Sequence, residues 1–586
     1  MQQWLVINKK ADFKAIGEKF NIDQVTARII RNRDVIEEED IRRFLYGDMR
    51  DLYDPHLLKD GDKLVDILCE KIENKKSIRI IGDYDIDGVM ATYILMTALQ
   101  RVNAQVSTQI PDRIHDGYGL NKKLIDKAHE DGVDTILTCD NGIAALEEIA
   151  YAKELGMTVL VTDHHEIPFE DKEGTRIYKS SVADAIVNPH QKDCLYPYKE
   201  LCGAAVAWKV VCLLYERCGV PAVEAEELLE NAAFATVGDI MSLTGENRII
   251  VKEGLKSIRH TKNVGMRALI AQCGLEANQI DAFHFGFVLG PCINASGRLD
   301  TAKRALELFF EKNSGKAAQI ANELVVLNQE RKDLTLEGVE KAIHFCEESG
   351  CYVDRVLVVY LPDVHESIAG IIAGRIREKY HKPVFVLTKT EDGVKGSGRS
   401  IEEYSMYEEL CKVQHLLTKF GGHPMAAGLS LAEENVDAFR KSINEVCTLT
   451  ETDLIPKVRI DVPMPIEYVT LELAREFSIL APFGKENTKP VFADKDIRIK
   501  RMWVMGKNRN VLRLTLLTNN GMPVTGIYFG DVDDFTGYLE EKFGKREVQA
   551  AFDGKENKLQ ISMVYFPKIN NFRGVEELQF EIQLYK

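Results

Sequence analysis

Four short apolar runs in the first third of the chain each end in side chains that can bind a cation or carry a proton. SIRIIG leads into Asp83, Asp85 and Asp87, with Gly88 next; TILTC leads into Asp140, Asn141 and Gly142; TVLVT leads into Asp163, His164 and His165; AIV leads into Asn188, Pro189 and His190. Carboxylates gathered at one place raise one another's pKa and resist desolvation, so such a cluster calls for a cation. Oxygen ligands with an imidazole and no thiolate suit Mn²⁺ or Mg²⁺ rather than a sulfur-bound zinc. An aspartate after a strand is often only the N-cap of the next helix. Capping accounts for one or two of these groups, not for four strand ends in succession with three Asp in one heptapeptide.

The surrounding pattern supplies the frame. From Ser77, β-branched runs alternate with helix-length amphipathic stretches, which predicts a parallel sheet with helices on both faces. The carboxyl ends of such strands share one edge, where ligands bind, so the four groups should converge there. The DYDID segment places Asp83, Asp85 and Asp87 either on one side of an extended run or fanned around a tight loop, and Gly88 lets the backbone turn into a helix. Helical periodicity dominates from Gly203 to Ser349 and includes a run long enough to bridge two lobes. A second, smaller α/β pattern begins at RVLVVYLPD. From about Asp453 short strands with turn chemistry follow, including Asn520-Gly521 between two apolar runs, which predicts a hairpin in a small OB-like β-barrel. The expected organisation is a helical lead-in over residues 1–50, an α/β lobe over 51–299, a helical connector over 300–349, a smaller α/β lobe over 350–449 and an OB-like domain over 453–586.

Composition excludes several classes. With 586 residues, 45% hydrophobic and 28% charged, the chain is ordinary globular material with room for more than one core. A formal charge of -16 argues against a surface that coats nucleic acid everywhere, though not against a local basic groove. Its 12 Cys form no CxxC pair, so neither a structural zinc site nor a disulfide framework is legible. No apolar run reaches the length of a membrane span, and no secretory segment is readable at the start. A soluble, cytoplasmic monomer is the expectation.

Two further segments allow two readings each. In GSGRS, Gly396 and Gly398 would let backbone N–H groups approach an anion, with Ser397 and Arg399 as side-chain donors; alternatively the segment is a Gly-rich hairpin turn. Gly421, Gly422 and His423 read either as part of a phosphate site or as a tight turn. Between Lys495 and Arg513, seven Lys or Arg stand against one Asp, with Trp503 among them. That is the composition of a groove that stacks bases, or of a solvated strand face with Trp503 in the core.

GDYDIDG, CDNG and DHH, in this order at strand ends, resemble the DHH phosphoesterase superfamily. VGDIMSL with Asp239, GSGRS and GGHPMAAG narrow the resemblance to the RecJ family of single-strand-specific 5′→3′ DNA exonucleases, from about residue 50 to the end. The resemblance implies a DHH lobe, a DHHA1 lobe and an OB-like domain. It implies two divalent ions held by Asp85, Asp87, Asp140, His164 and Asp239, with Asp83 at a family position and Asp140 as the shared ligand. Asp140, His164 and His165 would be catalytic, His165 beside the reacting phosphate. Arg298, Arg375, Ser397, Arg399, Gly422, His423 and Trp503 are the candidate substrate contacts. Many members carry His where this chain has Ile81, a departure that bears on the first metal position. Single-stranded DNA is the implied partner, with a single-strand-binding protein and a helicase beside it, in DNA repair and recombination. Two other classes are weighed: a phosphodiesterase for short oligonucleotides or cyclic dinucleotides, and a non-catalytic DNA-binding scaffold. The long connector and barrel argue against the first, and the intact carboxylate and His set against the second.

Overall fold

The computed structural model describes residues 2–586 apart from 114–116, 118, 173–174, 392, 507 and 573. The chain forms two compact units: residues 52–241 with 250–456, and residues 2–51 with 242–249 and 457–586.

The first unit holds two sheets. The larger is wholly parallel, in spatial order Gln105–Gln109, Ser77–Ile81, Thr135–Cys139, Thr158–Thr162, Ala185–Val187. Its central Thr135–Cys139 strand is buried throughout, as a strand covered on both faces must be. In chain order this is 2-1-3-4-5, so the connection reverses direction between the Ser77–Ile81 and Thr135–Cys139 strands. A crevice opens at such a reversal, beyond the strand ends. The smaller sheet is mixed, in order Lys419–His423, Ala426–Leu431, Gly393–Arg399, Val384–Thr390, Leu357–Tyr360. The Ser314–Glu348 helix, 35 residues and about 50 Å long, packs near its start on Val264–Gln272 and Gly290–Leu299 and also on Glu366–Tyr380. It is the predicted connector.

GSGRS is not a turn. It lies in the Gly393–Arg399 strand, in the middle of the smaller sheet. A Cβ on Gly396 would come within 2.4 Å of Leu387 and one on Gly398 within 2.7 Å of Phe385, so these glycines admit core side chains beneath the sheet. Ser397 and Arg399 alternate onto the opposite face. There Gly370 of the Glu366–Tyr380 helix leaves room for the Arg399 guanidinium, which a Cβ would meet at 2.8 Å. Gly421, Gly422 and His423 likewise belong to an edge strand, paired with Ala426–Gly428 across a hairpin at Pro424-Met425.

In the second unit, strands Phe492–Met505, Val511–Leu517, Pro523–Phe529, Val575–Tyr585 and Gln560–Phe572 pair in that order, and the last returns to the first, closing a barrel. The Asn520-Gly521 hairpin is present, with Gly521 at φ 77°. The first fifty residues are not a lead-in. Gln3–Val6 pairs in parallel with Lys457–Ile460, and Ile29, Ile30, Phe44 and Leu45 join the barrel core. Arg33 donates to both Asp461 carboxylate oxygens at 2.6 and 3.0 Å in a buried pair. Ser242–Ile249 contributes Arg248, whose guanidinium lies 3.9 Å from the Phe44 ring centroid and donates to the carbonyls of Phe44, Ile479, Leu480 and Pro482.

Candidate metal centre

The reversal in strand order puts the Asp83–Asp87 loop beside Asp140, and the fanned geometry is the one adopted. Asp85 is the N-cap of the Ile86–Arg101 helix, accepting from Asp87 N at 2.9 Å and Gly88 N at 3.2 Å. Capping and membership of the cluster therefore coincide in one residue. Gly88 is needed for close approach, since a Cβ there would lie within 2.4–2.6 Å of the Asp83 backbone. The Asp87 carboxylate accepts from Gly203 N at 2.6 Å and Ala204 N at 2.7 Å, the first amides of the Gly203–Arg217 helix. Those orphan donors hold it in place.

Asp140 follows its strand at φ 60°, and Ile240, directly after Asp239, sits at φ 57°. The left-handed region is costly for a β-branched residue such as Ile240 and accumulates at functional sites. His164 Nε2 lies 3.1 Å from Asp140, 3.5 Å from Asp87 and 3.9 Å from Asp239. Three overlapping groups result, each with ligand atoms within 4.8 Å of one another: Asp83, Asp85 and Asp140; Asp140, His164 and His165; Asp87, His164 and Asp239. All the metal residues expected from sequence are brought together, with Asp140 common to two groups.

The electrostatics fit cations. Burial, and then the neighbouring carboxylates, push Asp83, Asp85 and Asp140 up from the usual carboxylate range. Asp83 Oδ1 is buried with no hydrogen-bond partner, a cost that a divalent ion would remove. Burial pulls His164 down toward the neutral imidazole that ligates metals. Oxygen atoms with one neutral imidazole form a donor set suited to Mn²⁺ or Mg²⁺, so the residues present fit the expected ions. Ile81, the departure from the His that the resemblance gives many members, is a buried strand residue whose carbonyl accepts from Asn141 at 3.0 Å.

Asp163 plays a part that sequence reasoning did not assign. It accepts from Ile143 N at 2.9 Å, His164 N at 2.7 Å and His165 N at 3.1 Å, and lies 2.7 Å from His165 Nδ1. Burial opposes its charge, but the His165 contact prevails and holds it below the usual range. Its signal was the motif itself, an Asp two residues before a His. Burial likewise opposes charge on His165, yet the Asp163 contact raises it to about 9. A raised histidine stabilises the fold fully below its unfolded pKa of 6.5 and loses that contribution as pH climbs toward 9. The raised carboxylates act in the same direction, since ionising them disfavours the fold. The melting temperature of the chelated protein is therefore expected to fall between about pH 6.5 and 9, and His165→Gln to flatten the slope. Scanning calorimetry of both proteins checks this; equal slopes would contradict it.

Asn188 donates to the His165 carbonyl at 2.9 Å, whereas His190, at the fourth strand end, faces Glu166 at 3.8 Å outside the cluster. Asn294, also missed, accepts from Ile86 N at 2.8 Å; its signal was its place in NASGR, four residues before Arg298. Arg298 is largely buried, feels the charge of Asp85, and donates to the Ser367 carbonyl at 2.9 Å. Arg399 is half-buried with Arg377 as its charged neighbour. Arg375 is exposed and paired with Glu378 at 3.0 Å, and Gly422 and His423 are exposed on their edge strand. Trp503 is not in the core. It is half-buried on the outer barrel face, with Arg501 4.5 Å from its ring and Arg513 opposite it across the strands.

Family models match in three places: the DHH family N-terminal domain over residues 77–236, the DHHA1 domain over 354–449 and the RecJ OB domain over 460–584. The single-stranded-DNA-specific exonuclease RecJ of Escherichia coli is 32% identical over 99% of both chains. That of Bacillus subtilis is 35% identical over 86% of this chain, which spans only 62% of that relative's length. Thermus thermophilus RecJ in complex with Mn²⁺ superposes with TM-score 0.81 at 25% identity, covering 100% of this chain and 79% of that one; its Mg²⁺ complex gives 0.75. With three domain matches in order and a whole-length relative above thirty percent identity, the chain belongs to the RecJ family of single-stranded-DNA-specific exonucleases.

Proposed function

We propose that the protein is a divalent-metal-dependent exonuclease that hydrolyses the phosphodiester bonds of single-stranded DNA from the 5′ end. The observation that carries this reading is the convergence of Asp83, Asp85, Asp87, Asp140, His164 and Asp239 in overlapping ligand groups at one sheet edge, in a chain of this family. Two ions held there, Mn²⁺ or Mg²⁺, would supply a readily deprotonated water and compensate charge on the departing oxygen. Asp87 is fixed by the two helix amides, and Asp140 and His164 by the turns that follow their strands. Asp163 orients His165, whose Nδ1 donates to it, and Nε2 would be the donor offered to a phosphoryl oxygen.

Arg298, Ser397 and Arg399 are the proposed anchors of the 5′-terminal phosphate, since Arg298 joins the metal lobe to the Glu366–Tyr380 helix that packs on Ser397 and Arg399. Losing one charge-assisted contact costs about 1.5–3 kcal/mol. Arg399→Ala is thus expected to reduce the preference for a 5′-phosphorylated over a 5′-hydroxyl strand by about tenfold or more. Competition between the two labelled strands measures it; an unchanged preference places the anchor elsewhere. On the barrel, Trp503 between Arg501 and Arg513 would stack a base and hold its phosphate. Family resemblance extends the proposal to cytoplasmic DNA repair and recombination beside a single-strand-binding protein and a helicase.

The test is degradation of 5′-labelled and 3′-labelled single strands, a duplex and a dinucleotide, each with Mn²⁺, Mg²⁺ or chelator. Metal-dependent release of label first from the 5′ end of single strands supports the proposal. Turnover of the dinucleotide alone, or binding without turnover, would replace it.

A further inference from the structure

Two thiols of the metal lobe meet at its surface. Cys69 Sγ and Cys218 Sγ are 3.9 Å apart; Cys69 is half-buried, Cys218 is exposed, and both are reduced. Cys69 belongs to the Gly61–Glu73 helix, and Cys218 is the C-cap of the Gly203–Arg217 helix. These helices pack on each other and on the parallel sheet. Asp62, Asp66 and Cys69 are spaced four and three residues apart, so they share one helix face. Along that face His56 bridges Asp62 and Glu216 at 2.8 and 3.3 Å, and Asp66 pairs with Arg217 at 2.5 Å. The two helices are held in register at successive turns, and the sulfur contact is the last of these.

Both helices lead to the metal centre. The Gly61–Glu73 helix runs into the Ser77–Ile81 strand, and so into the Asp83–Asp87 loop. The Gly203–Arg217 helix starts with the amides that hold Asp87. A bond between residues 69 and 218, which are 149 positions apart, would close a loop that contains Asp83, Asp85, Asp87, Asp140, His164 and His165. Of the metal residues only Asp239 lies outside it. A cross-link restricts the unfolded chain more as its loop grows, so this one would act on the lobe that suffers most from unneutralised carboxylates.

Accessibility separates this pair from two others. Cys273 and Cys292 are also 3.9 Å apart, but Cys292 is 1% exposed, and Cys346 and Cys351, in contact with each other, are both fully buried. Burial, and then Cys218, push the Cys69 thiol up to about 12, which leaves the exposed Cys218 as the sulfur oxidised first. The sulfurs must close by about 1.9 Å to reach the roughly 2.05 Å of a disulfide. Cys218 stands just past the last turn of its helix, where the backbone can adjust.

We propose that Cys69 and Cys218 form a reversible disulfide when a peroxide reaches them, stapling the metal lobe so that it stays folded when its ions are absent. Cys218 takes one oxygen from hydrogen peroxide, becoming a sulfenic acid and releasing water; the Cys69 sulfur then displaces that oxygen as a second water. The two thiols lose two protons and two electrons, and the peroxide is reduced to two waters. Dithiothreitol reverses the step by thiol exchange. The staple is independent of the exonuclease reading.

The test treats the full chain with hydrogen peroxide in chelator, blocks the remaining thiols with iodoacetamide, and compares wild type, C69S and C218S by peptide mass spectrometry and thermal unfolding. Wild type should yield an intrachain Cys69–Cys218 peptide pair and a melting temperature at least about 5 °C above that of the reduced protein. Dithiothreitol should abolish both, and neither serine variant should show either. Cross-linking at Cys273 and Cys292 or at Cys346 and Cys351 instead, a disulfide between chains, sulfinic acid at Cys218 without a cross-link, or a cross-link with an unshifted melting curve would each overturn the staple. Should a serine variant fail to fold, wild type oxidised against wild type reduced remains the deciding comparison.

Discussion

Replacing Asp140 with Asn is expected to lower single-strand hydrolysis by at least about 10³-fold, the scale on which loss of one electrostatic partner of a transition state is felt. The same change is expected to raise the melting temperature of the metal-free protein. The two effects have one cause. Asp140 belongs to two of the ligand groups, and its carboxylate is pushed up by burial and by Asp87, Asp85 and Asp83 in turn. Without ions that crowding opposes folding; with ions it becomes affinity. Single-turnover assays in Mn²⁺ and thermal unfolding in chelator give the two readouts. Residual turnover within tenfold of wild type would remove Asp140 from the shared-ligand role, and an unchanged or lower apo melting temperature would contradict the repulsion argument.

The second large effect concerns the other unit. Arg248 is buried, has no carboxylate partner among the described residues, and is pulled down to about 9 by burial. Its stability comes from carbonyls of residues 44, 479, 480 and 482, and from the Phe44 ring. Arg248→Leu strands those acceptors, and is expected to cost about 3–5 kcal/mol, as breaking a buried charged network does. Arg248→Lys should recover little, because one ammonium cannot span the positions reached by a planar fork. Urea unfolding followed by Trp fluorescence and circular dichroism checks this. A loss below about 1 kcal/mol would mean that ordered water satisfies the carbonyls.

The larger sheet and its site were legible because both periodicity and chemistry are local there. Each strand is a β-branched run, and every ligand but Asp239, which caps the end of the Leu229–Gly238 helix, follows its strand within six residues, so the convergence of those follows from the parallel arrangement alone. GSGRS was ambiguous for the opposite reason. Its glycines report side chains of Leu387, Leu429, Phe385 and Met406 that press against them, and nothing in the pentapeptide encodes those neighbours. The first fifty residues misled in a similar way. Gln3–Val6 is too short to announce a strand, and its partner at Lys457–Ile460 lies at the other end of the chain. Asp163 was visible but uninterpreted, since an Asp beside two His reads as a ligand before it reads as the group that orients one of them. Trp503 could be placed only once the bulge between Ile499 and Arg501 was seen to reset the alternation of its strand.

Because Gln3–Val6 completes its pairing only with Lys457–Ile460, the barrel unit is assembled from both ends of the polypeptide. A ribosome adding about 5–20 residues per second needs roughly 23–90 s between the two halves of that pair. Throughout this interval the apolar faces of the nascent amino-terminal helices, including Ile29, Phe44 and Leu45, have no barrel to cover them. The metal lobe can meanwhile fold behind them. Newly made chains should therefore depend on a holdase until the barrel strands have been synthesised, and a stall near residue 450 would release a species with a finished metal lobe and an adhesive leading end.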